Sequence, residues 1–393
     1  MTGPYRVLYH HRIRADDGQA VHVREVIGAL RRAGHTVEEC ALVPKAVAAA
    51  SSTKRPTSLW QRLSLPRTAV EVLEILYDRR GRTMLRDRAR TLAPHFVYER
   101  HALHCRSGLD VARELGVPLL LEVNSPMVLE MEKLGSLRFA RRARRTERAV
   151  LAGADAVLAV TRVLADLLVE AGAPRERVHV IGNGADPDRY GAEARAAAAA
   201  IRARWELPTN AFVLGFVGYM RPWHRLDLVV DAMAQPALRP VVLVLMGRGP
   251  ALGPLRELAV GRGIGDRVLA LGDVPSDLLP AHQIACDAAL IPAINDYASP
   301  LKLFDALAAA VPVLAPDQPN LRENVRDGET ALLFPPGDAA ALSARLLRLV
   351  QDRAFAARLG AAGRRALDEN RWTWAGNAER IVRIHESLPQ RRP

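Results

Sequence analysis

The chain of 393 residues is too long for one small core and matches two domains of ordinary size, at roughly 150 residues per domain. Hydrophobic residues make up 49% and charged residues 25% of the sequence, which excludes a disordered or fibrous chain. The formal net charge of +12 is uneven, because residues 1–187 carry 30 Lys and Arg against 21 Asp and Glu.

The first half alternates short apolar runs with segments of helical spacing, which is typical of a parallel sheet covered by helices. A strand is predicted at 5–10, then a turn at Asp16-Asp17-Gly18 and a helix over 21–33 that ends at Gly34. Further strands are predicted at 36–42, 95–98, 118–123, 156–160 and 178–181.

Residues 44–94 give a weaker pattern, a Ser/Thr/Pro-rich start followed by a basic helical segment. Leu59, Trp60, Leu63 and Leu65 lie beside basic residues, as in an element that binds a membrane surface or an acceptor. A pair of surface helices that covers the sheet explains the pattern equally well.

The alternating pattern then restarts. A second set of strands is predicted at 212–217, 241–246, 268–271, 288–291, 313–315 and 331–334, with helices between them. We therefore expect two doubly wound α/β domains that join near residues 186–201, with ligands at the carboxyl ends of the strands in a cleft between the two sheets.

The strongest chemical signal lies between the strand at 288–291 and the helix after it. Ser299 is predicted to cap that helix and Pro300 to be its first residue. Free N–H groups there favour an anion, and Lys302 in the first turn adds a full positive charge. Asp305 is expected either to bind ribose hydroxyls or to pair with Lys302.

A second signal follows the strand at 212–217. Arg221 and His224 come just after the strand end, where Arg holds phosphate through paired hydrogen bonds and His does so more weakly. Trp223 is interpreted as a packing residue rather than a stacking platform.

Three further motifs follow in the second half, namely Gly247-Arg248-Gly249, Gly272-Asp273-Val274-Pro275 and Arg371-Trp372-Thr373-Trp374. Together with the two segments above, they resemble the family-4 retaining glycosyltransferases of GT-B fold, and the resemblance covers nearly the whole chain. The resemblance implies two Rossmann-like domains. It assigns residues 1–190 to the acceptor side, 191–372 to the nucleotide-sugar donor, and 373–393 to a helix that crosses back to the N-terminal domain.

The resemblance also implies site residues. Arg221, His224 and Lys302 would stabilise the leaving diphosphate. The donor would contact Gly18, Gly218, Val274, Tyr297, Ser299, Pro300, Leu301 and Asp305. On the acceptor or sugar side it implies His22 and Asn124, and Glu99, Arg100 and His101 follow a strand end where a polar loop is an equally good interpretation.

The sequence departs from the family pattern at several of these positions. Tyr297 stands where the first acid of a Glu-x7-Glu motif is usual, and Asp305 is a shorter second acid. Asn124 replaces a common His, and Asp17 replaces the first glycine of a Gly-Gly turn. Diphosphate and ribose binding are still expected, whereas the sugar and the catalytic detail are left open.

The resemblance implies front-face transfer with retention, in which a helix dipole, Arg and Lys stabilise the leaving diphosphate, so no cofactor or metal is expected. The expected partners are a UDP- or GDP-linked sugar and, through the basic first half, an anionic membrane surface, but no nucleic acid. The absence of a long apolar run, of a leader and of paired cysteines predicts a cytoplasmic protein with three reduced thiols.

Four other functions fit parts of the sequence. A nucleotide-sugar epimerase shares the diphosphate cleft but needs carboxylate acid/base pairs, for which Asp17, Glu99 and Glu122 are only loose candidates. A dinucleotide dehydrogenase is suggested by the glycines after residue 246, although Pro250 and Pro254 crowd that turn. A nucleic-acid-binding protein and a catalytically dead GT-B scaffold are the remaining two.

Overall fold

The computed structural model describes residues 3–14, 17–45 and 66–389 of the chain. The apolar residues at 59–65 and the turn residue Asp16 lie outside the described residues. Contacts between Cα atoms divide the chain into two compact units, residues 1–182 with 375–393 and residues 183–374. No helix in the described ranges is long and apolar enough to cross a membrane.

The first unit is built on a parallel sheet of six strands. The strands are β1 (Arg6–His10), β2 (Thr36–Cys40), β3 (Phe96–Arg100), β4 (Leu119–Val123), β5 (Ala156–Ala159) and β6 (Val178–Val180), in the order β2-β1-β3-β4-β5-β6. Every position of β3 and β4 is buried, so both faces of the sheet are covered.

Seven helices of this unit lie in the described ranges. They are α1 (Gly18–Arg32), α2 (Arg67–Leu92), α3 (Ser107–Leu115), α4 (Met127–Lys133), α5 (Ala140–Gly153), α6 (Arg162–Ala171) and most of α15 (Trp374–Ser387). Helix α1 begins at Gly18, three residues before the predicted start, because the Asp17 carboxylate accepts a hydrogen bond from Gln19 N and caps the helix.

The second unit has another parallel sheet of six strands, β7 (Phe212–Val217), β8 (Val241–Met246), β9 (Val268–Gly272), β10 (Ala288–Leu290), β11 (Val313–Pro316) and β12 (Leu332–Phe334). Their order is β12-β11-β10-β7-β8-β9. The strand order changes direction between β7 and β10, because β8 and β9 follow on one side and β11 and β12 on the other. Ligands of such sheets bind outside the carboxyl ends of the strands at the point where the order reverses.

The helices of the second unit complete the α/β pattern. They are α7 (Ala192–Arg204), α8 (Leu226–Met233), α9 (Leu252–Gly261), α10 (Leu279–Ile284), α11 (Leu301–Ala309), α12 (Pro319–Arg322), α13 (Ala339–Gln351) and α14 (Arg353–Glu369). Phe212, Phe216 and Phe334 are fully buried in the core between the sheet and these helices. The predicted fold class, two doubly wound α/β domains, is confirmed by the two sheets.

Candidate active site

The carboxyl ends of β7, β8 and β9 are joined by direct backbone contact. Gly218 N donates to Met246 O at 2.9 Å, and Met220 N donates to Arg248 O at 2.7 Å. Side chains at Gly247 and Gly249 would collide with the backbone oxygens of Gly218 and Met220, so only glycine fits at both positions. The loop after β7 is therefore held in one place by the loop after β8.

Helix α11 begins beside this loop. Its N-cap is Pro300, in extended conformation, and the N–H groups of Leu301 and Lys302 point out of the first turn without partners inside the helix. The predicted Ser299 cap is wrong, because the Ser299 hydroxyl instead accepts a hydrogen bond from Asn183 N at 3.0 Å. The Asn183 amide also donates to Ser299 O at 2.5 Å, which fixes the approach to the helix.

Lys302 extends from the first turn of α11 toward the loop after β7. Its ammonium lies 4.1 Å from the centre of the Phe216 ring, and a Cβ at Gly218 would be only 3.5 Å from Lys302 Nζ. Burial lowers the pKa of Lys302 from its ordinary value to about 7. Across residues 3–14, 17–45 and 66–389, no carboxylate forms an ion pair with it. The site therefore holds a desolvated cation whose only close electrostatic support is an aromatic face.

His224 and Arg221 form the other side of this loop. His224 Nδ1 accepts a hydrogen bond from Arg221 N at 3.2 Å, which assigns the proton of the neutral ring to Nε2. Burial, followed by the positive charges of Lys302 and Arg221, lowers the pKa of His224 to about 4. His224 is thus a neutral N–H donor at physiological pH.

The Arg221 guanidinium is exposed and lies between two aromatic rings, 4.9 Å from the centre of Tyr219 and 4.8 Å from that of Trp223. Trp223 is 54% exposed, so its interpretation as a packing residue is wrong. Trp223 lies in the loop after β7, and its exposed ring contacts the Arg221 guanidinium.

Asp305 contacts Tyr190 rather than Lys302. Burial and the nearby Asp305 carboxylate, with which the hydroxyl forms a hydrogen bond, raise the pKa of Tyr190 well above its ordinary value. The Tyr190 oxygen also lies 2.8 Å from Gln283 Oε1, so its single proton is shared between two acceptors. The expected pairing of Asp305 with Lys302 is therefore wrong, and ribose binding by Asp305 stays a prediction.

Two further positions implied for the donor follow β10 and β9, which are separated in the sheet by β7 and β8. The Tyr297 hydroxyl accepts a hydrogen bond from the Asn295 amide at 2.7 Å, in the loop before α11. Val274 is half-buried after β9 and packs against the core, beside an ion pair between Arg248 and Asp273 of 3.0 Å. Neither position carries a free charge.

In the first unit, the residues implied for the sugar and acceptor side meet at Glu122. Its Oε2 accepts from the Tyr98 hydroxyl at 2.6 Å and lies 2.9 Å from His22 Nε2, while its Oε1 accepts from Arg100 Nη1 at 2.7 Å. Burial by itself raises the pKa of Glu122, but the charges and hydrogen bonds of His22, Arg100 and Tyr98 outweigh it and bring the pKa to about 2.

Three other predicted site residues of the first unit differ in their exposure. His101 N donates to Glu122 O at 2.8 Å, and burial lowers the pKa of the His101 ring to about 4. Asn124 is half-buried, and its Oδ1 has no hydrogen-bond partner in the described part of the chain. Gly18 is exposed at the start of α1, one turn before His22.

The structure therefore brings the predicted residues together in two groups, one in each unit. Gly218, Arg221, His224 and Lys302 share the edge of the second sheet, and His22 and Arg100 share Glu122 in the first. Sequence reasoning missed Glu122 as the centre of that cluster. A charged residue within the apolar strand Leu119–Val123 is the signal that would have found it. Phe216 and Tyr190 carried no comparable signal, since aromatic residues there are indistinguishable from core.

Comparison with known proteins identifies the family of the chain. Residues 197–366 match the family described as "Glycosyl transferases group 1", and residues 17–189 match "Glycosyltransferase Family 4". A D-inositol 3-phosphate glycosyltransferase from Nocardia farcinica is 33% identical over 251 residues, which are 61% of this chain and 54% of that protein.

A second curated relative is a GDP-mannose-dependent alpha-(1-6)-phosphatidylinositol monomannoside mannosyltransferase from Mycobacterium tuberculosis. It is 30% identical over 240 residues, which are 58% of this chain and 61% of that protein. The chain thus spans little more than half the length of the curated relatives it matches.

Among solved structures, Anabaena HepE in complex with UDP and glucose has a TM-score of 0.69 at 18% identity, over 98% of this chain and 100% of that chain. This likeness shows the fold. Together, the two sheets, the family matches over both halves of the sequence and the structural likeness show that the chain belongs to the family-4 glycosyltransferases of GT-B fold.

Proposed function

We propose that this chain is a retaining glycosyltransferase that moves a sugar from a nucleoside-diphosphate sugar to an acceptor hydroxyl. The observation that carries the proposal is the half-buried Lys302 ammonium at the start of α11. It has no carboxylate partner in the described ranges, and burial disfavours its charged form, which lowers its pKa to about 7. A diphosphate supplies the missing negative charge, and the helix N-terminus favours the same ligand.

Each group at this edge then has a role in leaving-group stabilisation. Lys302 and the N–H groups of the first turn bind the diphosphate oxygens as negative charge develops on them. Arg221 offers two parallel N–H donors, and His224 offers its Nε2–H without adding charge.

In the proposed transfer, the bond from the sugar carbon to the phosphate oxygen breaks. The acceptor oxygen bonds to that carbon on the same face, and its proton passes to the departing phosphate. These groups require no divalent ion, so the proposed transfer is metal-independent.

The names of the curated relatives support a more specific proposal for the substrates. One relative acts on D-inositol 3-phosphate and the other uses GDP-mannose with a phosphatidylinositol mannoside, so both acceptors contain a cyclic polyol. We expect a UDP- or GDP-linked hexose as donor and a polyol-containing acceptor, either soluble or lipid-linked. Ribose binding by Asp305 and base contacts near Val274 belong to the same proposal.

Binding and turnover of the donor test the proposal together. Addition of UDP or GDP should raise the melting temperature, because a ligand of the native state stabilises it. Lys302→Ala should remove that shift and lower turnover by about a hundredfold or more, the effect of losing one donor to a developing oxyanion. Added Mg²⁺ or Mn²⁺ should not change the rate.

The matched control is Lys133→Ala, which removes an exposed lysine in the first unit and should leave both readouts unchanged. Normal turnover by Lys302→Ala would show that the diphosphate site is assigned wrongly. A nucleotide shift in the wild type without transfer or hydrolysis of any nucleotide sugar would favour the catalytically dead scaffold instead.

We also propose that the first unit binds an anionic membrane. Leu73 and Leu76 on α2 are 51% and 52% exposed, and Leu134 is 76% exposed after α4. Four exposed arginines follow on α5, namely Arg141, Arg142, Arg144 and Arg145. Apolar side chains beside a basic helix bind anionic lipid surfaces by combining burial with charge.

Co-sedimentation with vesicles tests this surface. Binding should require anionic lipid, fall as salt increases, and weaken in the double variant Leu73→Ser with Leu76→Ser. Val260→Ser changes an apolar residue of the second unit that is even more exposed, at 70%, and should have no effect. Equal binding to neutral vesicles would contradict the proposal.

A further inference from the structure

A cluster of buried polar groups in the first unit takes no part in the site described above. His10 and Glu99 are register partners on β1 and β3, and Cys105 lies in the loop after β3. Each is about 1% exposed. The candidate ligand atoms of the three side chains all lie within 4.8 Å of one another.

The Glu99 carboxylate is the unusual member of this cluster. Neither of its oxygens has a hydrogen-bond partner in the described ranges, and neither does His10 Nδ1, which lies 3.3 Å from Glu99 Oε2. Other buried carboxylates of the unit are satisfied, as Glu122 and Glu71 show with three donors each. An unpaired buried carboxylate is strongly unfavourable, so a positive charge at this point would relieve it.

The chemistry of the donors identifies the kind of charge. An imidazole nitrogen, a carboxylate oxygen and a thiolate sulfur form a ligand set that Zn²⁺ binds and that Mg²⁺ or Ca²⁺ does not. With neutral His10 and ionised Glu99 and Cys105, a divalent ion makes the cluster electrically neutral. Tetrahedral zinc holds its ligand atoms about 3.3–3.6 Å apart, so these side chains need to approach by about an ångström.

The surroundings orient the ligands. The other ring nitrogen of His10, Nε2, lies 3.1 Å from the Tyr77 hydroxyl, and Cys105 Sγ lies 3.2 Å from Ser107 Oγ. Metal-binding histidines generally have such a partner on the second nitrogen. A Cβ at Gly108 would overlap Glu99 Oε2, so the glycine leaves the space that the carboxylate occupies.

From this geometry we infer that the first unit binds a zinc ion through His10 Nδ1, the Glu99 carboxylate and Cys105 Sγ. The fourth position is left to a water or a neighbouring hydroxyl. The site stabilises the carboxyl ends of β1 and β3 and the loop that leads into α3. It is separate from the donor chemistry of the second unit and does not depend on the proposed function.

The test measures metal rather than activity. The full chain, purified through a tag without histidines from zinc-supplemented medium, should retain about one zinc per chain by elemental analysis after dialysis. Protein in which Co²⁺ replaces zinc should show a thiolate-to-cobalt charge-transfer band. It should also show the visible absorption of a tetrahedral cobalt ion. A chelator should lower the melting temperature.

Variants identify the ligands. Cys105→Ser and Glu99→Gln should each lower zinc content at least tenfold. Cys286→Ser, which removes a buried thiol of the second unit, and Cys40→Ser, which removes one on the strand next to His10, should retain it. If Cys105→Ser does not fold, the cobalt spectra of the wild type and of the two control variants still decide the question. Wild-type protein without zinc and without a cobalt band would overturn the inference, and so would loss of the band in Cys40→Ser.

Discussion

Glu122 and Glu71 in the first unit and Lys302 in the second are charges that their surroundings support in opposite ways. In the first unit Glu122 contacts His22, Arg100 and Tyr98, and Glu71 accepts from two backbone N–H groups and contacts His104. In the second unit, the Lys302 ammonium lies against the Phe216 ring and pairs with no carboxylate of the described ranges. A fully partnered charge holds neighbouring side chains in position, whereas a charge without a counter-ion is ready for a ligand. Glu122 therefore holds the side chains of His22, Arg100 and Tyr98 in position, whereas Lys302 is suited to binding an anion.

The largest effect is expected from removing the charge of Glu122. Glu122→Gln leaves Arg100 buried without its counter-ion, and loss of one member of a buried pair costs about 3–5 kcal/mol in the free energy of unfolding. Urea unfolding followed by circular dichroism measures this change. Glu114→Gln is the control, because Glu114 pairs with Arg86 at the surface, where both side chains are nearly half exposed.

The pH dependence of the same variant sharpens the result. The folded pKa of Glu122, about 2, lies below its ordinary value, so its contribution to stability is present above about pH 4.5 and is lost as pH falls toward 2. Wild type and Glu122→Gln should therefore converge in stability under acid conditions. A loss in Glu122→Gln no larger than that in Glu114→Gln would show that the cluster is not held by charge.

A smaller effect is expected from the titration of Lys302. Its folded pKa of about 7 is depressed, so the free protein loses this charge as pH rises above neutrality, and binding of a diphosphate then requires proton uptake. Affinity for UDP or GDP should weaken above about pH 7, by up to about tenfold per pH unit. Calorimetry in buffers of different ionisation enthalpy measures the proton uptake directly.

Lys302→Arg is the matched variant for this titration, because arginine stays charged across the range. Its affinity should be nearly independent of pH between about pH 7 and about pH 9. His224 does not contribute there, since its pKa of about 4 keeps the ring neutral. The same slope in wild type and Lys302→Arg would place the titrating group elsewhere.

The sequence was sufficient to predict the strands of both sheets. Runs such as Phe212–Val217 and Val241–Met246 are apolar at nearly every position and are followed by glycine. The apolar pattern and the turn-forming residue therefore predict the same end of each strand. The start of α1 was placed late because Gly18-Gln19-Ala20 has no apolar periodicity, and only the cap formed by Asp17 defines its first turn.

The site was predicted less completely, for reasons that lie in long-range contacts. Lys302 was found because a rare lysine in the first turn of a helix opposes the helix dipole. The predicted Ser299 cap is wrong because the backbone N–H of Asn183, 116 positions away, donates a hydrogen bond to the Ser299 hydroxyl. No local sequence pattern reveals such a long-range contact. The contact between Asp305 and Tyr190 was missed for the same reason.

Helix α15 has a consequence for the synthesis of the chain. Residues 375–393 belong to the first unit, and the helix buries Asn377, Ala378 and Ile381 there, with the Asn377 amide donating to Gly182 O at 2.8 Å. The second unit is continuous in sequence, whereas the first is completed by residues that are translated after the whole second unit. Although domains generally fold in the order of translation, the first unit can close its core only after the second has been made. Until then, the surface that receives the helix is exposed to chaperones and to misfolding.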